Sequence, residues 1–287
     1  MAGSALIKAV KENDFQQVYN LLESGADVHE KDETYSTALH YAVDYKCNNL
    51  NIIKLLIQQG ADVHAINKIG TPLDIAVRYP KGIHAVQVLL AADVNPNFIA
   101  KPGQYERQTP LHYAAVYGTS EIIKLLVKKG ANPNVLDGAG NAPLHWAVSR
   151  YEVVETLLSC GAYPAIAGPS GMTPLHVLVT MGDEAENVAT AELLIKKGAQ
   201  VNATDKILKQ TPFHLAAKDG CYRMCRCLLQ HGAQPLLKDA YGKLPGQLVP
   251  EQDRPLFDSF ASGHFDTLIK EPAVNKPSFH LTSCFVR

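Results

Sequence analysis

Six ionisable side chains recur at near-constant spacing: His40, Asp74, His112, His145, His176 and His214 stand 34, 38, 33, 31 and 38 residues apart. Imidazoles and carboxylates are the groups from which proton relays and metal sites are built. A site needs its ligands to converge, whereas a spacing above thirty residues delivers one group per structural unit, strung along the chain. Each ring is then expected to bond locally. A second set is denser. Cys221, Cys225 and Cys227 fall within two helical turns, with His231 after them, so a thiolate metal site has to be weighed. The run contains no Cys-x2-Cys pair, and Cys225 and Cys227 align with the apolar Ile123 and Leu125 of an earlier segment, which reads as small-residue packing. Neither set implies a cofactor or a metal. Nucleophile elbows of Gly-x-Ser-x-Gly type, glycine-rich phosphate loops and His-Glu-x-x-His are absent from the sequence, so no catalytic apparatus is visible and the chain is expected not to be an enzyme.

The elements that must hold these residues follow from the phrases around them. Thr109-Pro110-Leu111-His112-Tyr113-Ala114-Ala115 returns as Thr173-Pro174-Leu175-His176 and as Thr211-Pro212-Phe213-His214-Leu215-Ala216-Ala217. A second phrase closes each unit: Leu21-Leu22 before Gly25-Ala26, Leu55-Leu56 before Gly60-Ala61, Leu125-Leu126 before Gly130-Ala131, and Leu228-Leu229 before Gly232-Ala233. Two phrases in register mean that one unit has been stacked many times. This pattern resembles the ankyrin-repeat family over roughly residues 3 to 260, with about seven full or near-full repeats and a partial closing one. The resemblance implies an all-α solenoid of helix-turn-helix units with extended β-turn or hairpin connections. It also implies protein binding through the concave inner-helix face and the turn tips. Residues 1–262 are expected to form one array, with capping repeats over residues 4–25 and from Gly242 to Phe260, and residues 263–287 a flexible tail.

Within one unit, Thr109 is placed to cap a short inner helix with Pro110 in its first turn, and Gly118 ends it. Ile122, Ile123, Leu125 and Leu126 then form the outer helix, closed at Gly130 where a left-handed residue is easiest. One unit departs from the pattern, with Asp74 in place of histidine and Ala91-Ala92-Asp93 in place of Gly-Ala-Asp. Loops enlarge at residues 45–50, 98–107 and 181–187, and the chain contracts after Ser149-Arg150-Tyr151. Insertions of this kind map to surfaces.

Alignment of the inner helices puts Tyr45, Tyr79 and Tyr117 at one position, with Tyr151 one place beyond it and Met181 following. One turn earlier stand Tyr41, Ile75, Tyr113 and Trp146. Residues four apart share a helix face, so these side chains are candidates for an aromatic ladder that contacts a partner. Tyr41, Tyr113 and Trp146 could equally fill space between adjacent helices. Turn-tip candidates are Glu33, Thr34, Lys68, Ile69, Tyr105, Glu106, Pro169, Ser170, Lys206, Ile207 and Leu208. Asn134 and Asn202 hold a place where the family can carry an asparagine that is hydroxylated; their local reading is as turn formers.

With 27 basic and 28 acidic side chains there is no concentrated positive field, so nucleic acid and anionic membrane are not expected as partners. The expected partner is another protein, bound by a chain monomeric on its own. No secretory signal, membrane span, myristoylation site or permissive prenylation box is read, and the cytosol, with the nucleus as a further possibility, is the expected location. Two other roles share the architecture: a substrate-receptor subunit of a ubiquitin ligase with a divergent C-terminal docking segment, and an effector of an intracellular pathogen.

Overall fold

The computed structural model describes residues 5–44, 46–100, 107–251 and 254. Among them the regular structure is entirely helical, without a strand. The helices alternate between a short and a longer member. The chain divides into two compact units, residues 1–146 with 159–161, and residues 147–158 with 162–287.

The first unit runs α1 (Ala5–Lys11), α2 (Phe15–Glu23), α3 (Ala38–Ala42), α4 (Leu50–Gln58), α5 (Pro72–Ala76), a 3-10 turn at Pro80–Gly82, α6 (Ile83–Ala91), α7 (Pro110–Tyr117) and α8 (Ser120–Lys128), and ends in α9 (Pro143–Ala147). Its inner helices pack in series, α1 on α3, α3 on α5 and α5 on α7, while α2, α4, α6 and α8 form the outer series. The second unit holds α10 (Tyr151–Ser159), α11 (Pro174–Val179), α12 (Ala185–Lys196), α13 (Pro212–Lys218), α14 (Tyr222–Gln230) and α15 (Pro245–Leu248). In it α11, α13 and α15 are consecutive neighbours, and α12 packs on α14.

The recurring phrase works through the start of each short helix. Thr109 sits in the extended region ahead of α7, Pro110 supplies the first helical φ, and His112 turns back on the cap. The Thr109 backbone N–H donates to His112 Nδ1 at 3.1 Å, so the neutral ring carries its proton on Nε2, which donates to the Asn141 carbonyl at 3.0 Å. His40 repeats the arrangement with Thr37 and the Gly70 carbonyl, and His176 with Thr173 and the Gln210 carbonyl. Each ring therefore caps its own helix and fastens it to the loop of the next copy. At position 142 an alanine replaces the threonine, and its N–H still donates to His145 Nδ1 at 3.0 Å.

The long helices are driven by one apolar face. Ile122, Ile123 and Leu126 of α8 are fully buried, each contributing about 2 kcal/mol of transfer free energy. Gly130 ends α8 at φ 93°, and the Ala131 N–H closes the turn on the Leu126 carbonyl at 2.9 Å. Reading Ala91-Ala92-Asp93 as Gly-Ala-Asp places that unit two residues out of register. The left-handed position after α6 belongs to Asp93, at φ 56°, and Val94 follows where other copies have alanine. Aspartate tolerates this region better than most non-glycine residues.

A candidate partner-binding surface

Tyr41 and Trp146 spend their polar tips inside the first unit. Tyr41 Oη donates to Asp32 Oδ2 at 2.5 Å, and Trp146 Nε1 donates to Asp137 Oδ2 at 2.9 Å; in each case the aspartate lies nine residues upstream. The other carboxylate oxygen holds the turn. Asp32 Oδ1 accepts from the Thr34 and Ser36 backbone N–H groups, and Asp137 Oδ1 from those of Ala139 and Asn141. Burial pushes Asp32 upward, but the bonds from Thr34, Tyr41 and Ser36 outweigh it and hold this acid well below the usual carboxylate range. Lys11 completes the group, with Nζ 4.0 Å from the Tyr41 ring centroid and 3.8 Å from Asp32 Oδ2.

Tyr113 presents its face to Arg78, whose guanidinium carbon lies 4.1 Å from the ring centroid. Tyr117 is the last residue of α7, half exposed, and 5.9 Å from the same guanidinium. Arg78 itself is anchored by Nε, which donates to the Asp74 carbonyl at 3.2 Å. The positions aligned with Tyr117 do not repeat its setting. Helix α5 stops at Ala76, and Tyr79 is extended at φ −119° and ψ 134° because Pro80 follows it. Tyr151 is the first residue of α10, a long helix of the second unit, and half-buried Met181 lies in the turn after α11. Tyr45, Tyr105 and Glu106 lie outside the described residues, as does the chain from residue 255 onward.

The turns before the short helices bond to each other inside each unit. Lys68 N–H donates to the Thr34 carbonyl at 3.3 Å, Lys206 N–H to the Ser170 carbonyl and Ala240 N–H to the Leu208 carbonyl, both at 2.7 Å. Large apolar side chains stand out from these held turns: Tyr35 is 61% exposed, Ile207 71% and Tyr241 76%. Sequence reasoning named Ile207 but not the two tyrosines. Their signal was available, since each sits in a polar turn that gives an aromatic ring nothing to pack on.

Asn134 Nδ2 donates to the Gly161 carbonyl, and Asn202 Nδ2 to that of Gly232. Asn202 Oδ1 also accepts the Gln234 N–H, and Asn97, hidden by the register error, makes the same pair of bonds with Gly130 and Asn132. These amides are fasteners between copies. In the second unit Cys221, Cys225 and Cys227 are buried along α14, and burial pushes the Cys225 thiol up and the Cys227 thiol to about 11. Among the described residues no group of three or more His, Cys, Asp or Glu is placed to hold a metal, and no helix is long and apolar enough to cross a membrane.

The family model for ankyrin repeats matches three times, over residues 6–100, 81–167 and 164–239. Among curated proteins the chain is similar to inversin of Canis lupus familiaris, 36% identical over 135 residues, covering 45% of this chain and 12% of that one. It is 28% identical over 251 residues to a putative palmitoyltransferase ZDHHC13 of Danio rerio, covering 88% of this chain and 33% of the relative. With the nuclear factor NF-kappa-B p105 subunit of Gallus gallus it shares 32% identity over 141 residues, 49% of this chain and 14% of the relative. The chain thus spans a third or less of these relatives' length. The cap-and-fasten histidines, the glycine-closed long helices and the three family matches together establish that the chain belongs to the ankyrin-repeat family.

Proposed function

We propose that the chain is a non-catalytic interaction module, a scaffold or adaptor that holds a partner protein against its short-helix and turn-tip surface. The observation that supports this most is the contrast within the turns. Their backbones are tied by aspartate and tip-to-tip hydrogen bonds, while Tyr35, Ile207 and Tyr241 stand largely in water. Large exposed aromatic and aliphatic groups on a rigid frame lose little entropy on binding, which is the property of interface anchors. Seven repeats with a partial closing one are part of the same proposal, supported by the alternation of short and long helices among the described residues. A monomeric chain acting in the cytosol or nucleus is part of the same proposal.

The test is affinity purification of the tagged protein beside a Tyr79→Ala/Tyr117→Ala variant and a Tyr35→Ala/Ile207→Ala/Tyr241→Ala variant, with bound proteins quantified by mass spectrometry. A binding module is expected to retain a partner that one variant loses by tenfold or more. Partners held equally by all three would move binding off this surface.

A further inference from the structure

Among the described residues, Lys11 and Arg78 of the first unit each lie on a tyrosine ring, and of these two Lys11 is paired with a carboxylate. Lys11 stacks on Tyr41, and Asp32 closes the group by binding both the ammonium and the phenol. Arg78 stacks on Tyr113 with Tyr117 beside it, yet among the described residues it forms no ion pair. In sequence, the residue nine before Tyr113 is Gln104, where Tyr41 and Trp146 have Asp32 and Asp137. Arg78 acts weakly on Asp74, a buried group that burial pushes up to about 6. One face of the guanidinium rests on Tyr113 and Nε is taken by a backbone carbonyl. What remains for a partner is the Nη1, Nη2 edge, the fork that matches a carboxylate bidentately.

We propose that Arg78, framed by Tyr113 and Tyr117, is the anchor for a carboxylate side chain of an extended acidic peptide segment of the partner. This rests on the interaction-module reading and gives it a chemistry. The ring beneath Arg78 fixes its plane and displaces water from one side, so the fork is already oriented. Half-exposed Tyr117 offers the adjoining ring face to the residue next to the acid. The internal group Lys11, Tyr41 and Asp32 shows the assembly that the partner's carboxylate would complete.

The test uses the full chain and random 12-residue peptides displayed on phage. The strongest binder is then synthesised in its acidic form, with each Asp or Glu changed to the amide, and with phosphoserine at the same places. With the wild-type chain one acid is expected to be worth about tenfold or more in affinity over its amide. In Arg78→Gln that ratio should fall to about one, and in Arg78→Lys to an intermediate value, since charge stays and the fork goes. Because the ratio is taken within one protein, a general loss of stability in a variant does not move it. An acid-to-amide ratio unchanged in Arg78→Gln, selected peptides without an acid, or binding that needs phosphoserine where the carboxylate fails would each overturn the anchor and leave the interaction module standing. No peptide bound at all would overturn both.

Discussion

The pair α7–α8 and the pair α5–α6 do the same job with different residues, and the difference separates two duties of one side chain. In α7, His112 accepts from Thr109 and its Nε2 donates to the Asn141 carbonyl. In α5, Asp74 Oδ2 accepts from the Thr71 N–H and hydroxyl at 2.8 and 2.9 Å, so the cap is intact. Ionised aspartate has no proton to give onward, and Asp74 Oδ1 is buried without a partner. A carboxylate can cap the helix; it cannot fasten it. The long helices differ in parallel, with Gly130 at the left-handed position after α8 and Asp93 after α6.

Breaking the intact copy should have the largest effect. His112→Ala leaves the Thr109 N–H and the Asn141 carbonyl without their ring partner, and is expected to cost about 3 kcal/mol in urea unfolding followed by circular dichroism. Mending the odd copy comes next. Asp74→Asn keeps an acceptor for Thr71 and adds a donor, so it should gain about 2 kcal/mol at pH 7.5.

That gain depends on pH with a sign that differs between the copies. Burial raises Asp74 to about 6 against the opposing bonds from Thr71, so its protonated form stabilises the fold below about pH 4 and this is lost as pH rises through 6. The advantage of Asp74→Asn should therefore vanish at pH 4, read from unfolding midpoints across the range. His40 runs the other way. Burial lowers it to about 4, so the stability of its neutral ring is present above pH 6.5 and is lost as pH falls through 4. His112 and His176 are lowered by burial as well, and the whole chain should lose stability between pH 6.5 and 4.

Two smaller substitutions sharpen the contrast. Asn97→Ala and Asn134→Ala remove equivalent amides, one from each pair, and should cost about 1 kcal/mol apiece in the same assay. A large inequality between them would mean that the odd pair is loosened beyond its histidine position. Asp93→Gly should gain the least, about 0.5 kcal/mol, by relieving a left-handed residue at the price of a freer unfolded chain.

The repeated phrases made the helices and their caps legible, because cap, proline and apolar stripe are local devices that act through neighbouring residues. The placing of Asp93 was not legible. Ala91-Ala92-Asp93 imitates Gly-Ala-Asp letter by letter, and only the end of α6 shows which residue turns left-handed. The tyrosine alignment failed for a related reason: equal sequence offset stops meaning equal setting once α5 ends at Ala76 and Tyr79 precedes a proline. Arg78 escaped notice because its stacking on Tyr113 joins residues thirty-five apart in sequence, with no local signature. The tethering of Tyr41 and Trp146 could have been read from the constant offset to Asp32 and Asp137.

The histidine fastener reaches a backbone carbonyl rather than a side chain of the following copy. Every residue type supplies that acceptor, so a copy can be followed by almost any other without a matching change in its neighbour. A gene that lengthens by duplicating such a segment gains a joint that works on arrival, and surface residues are left to diverge for the sake of what they bind.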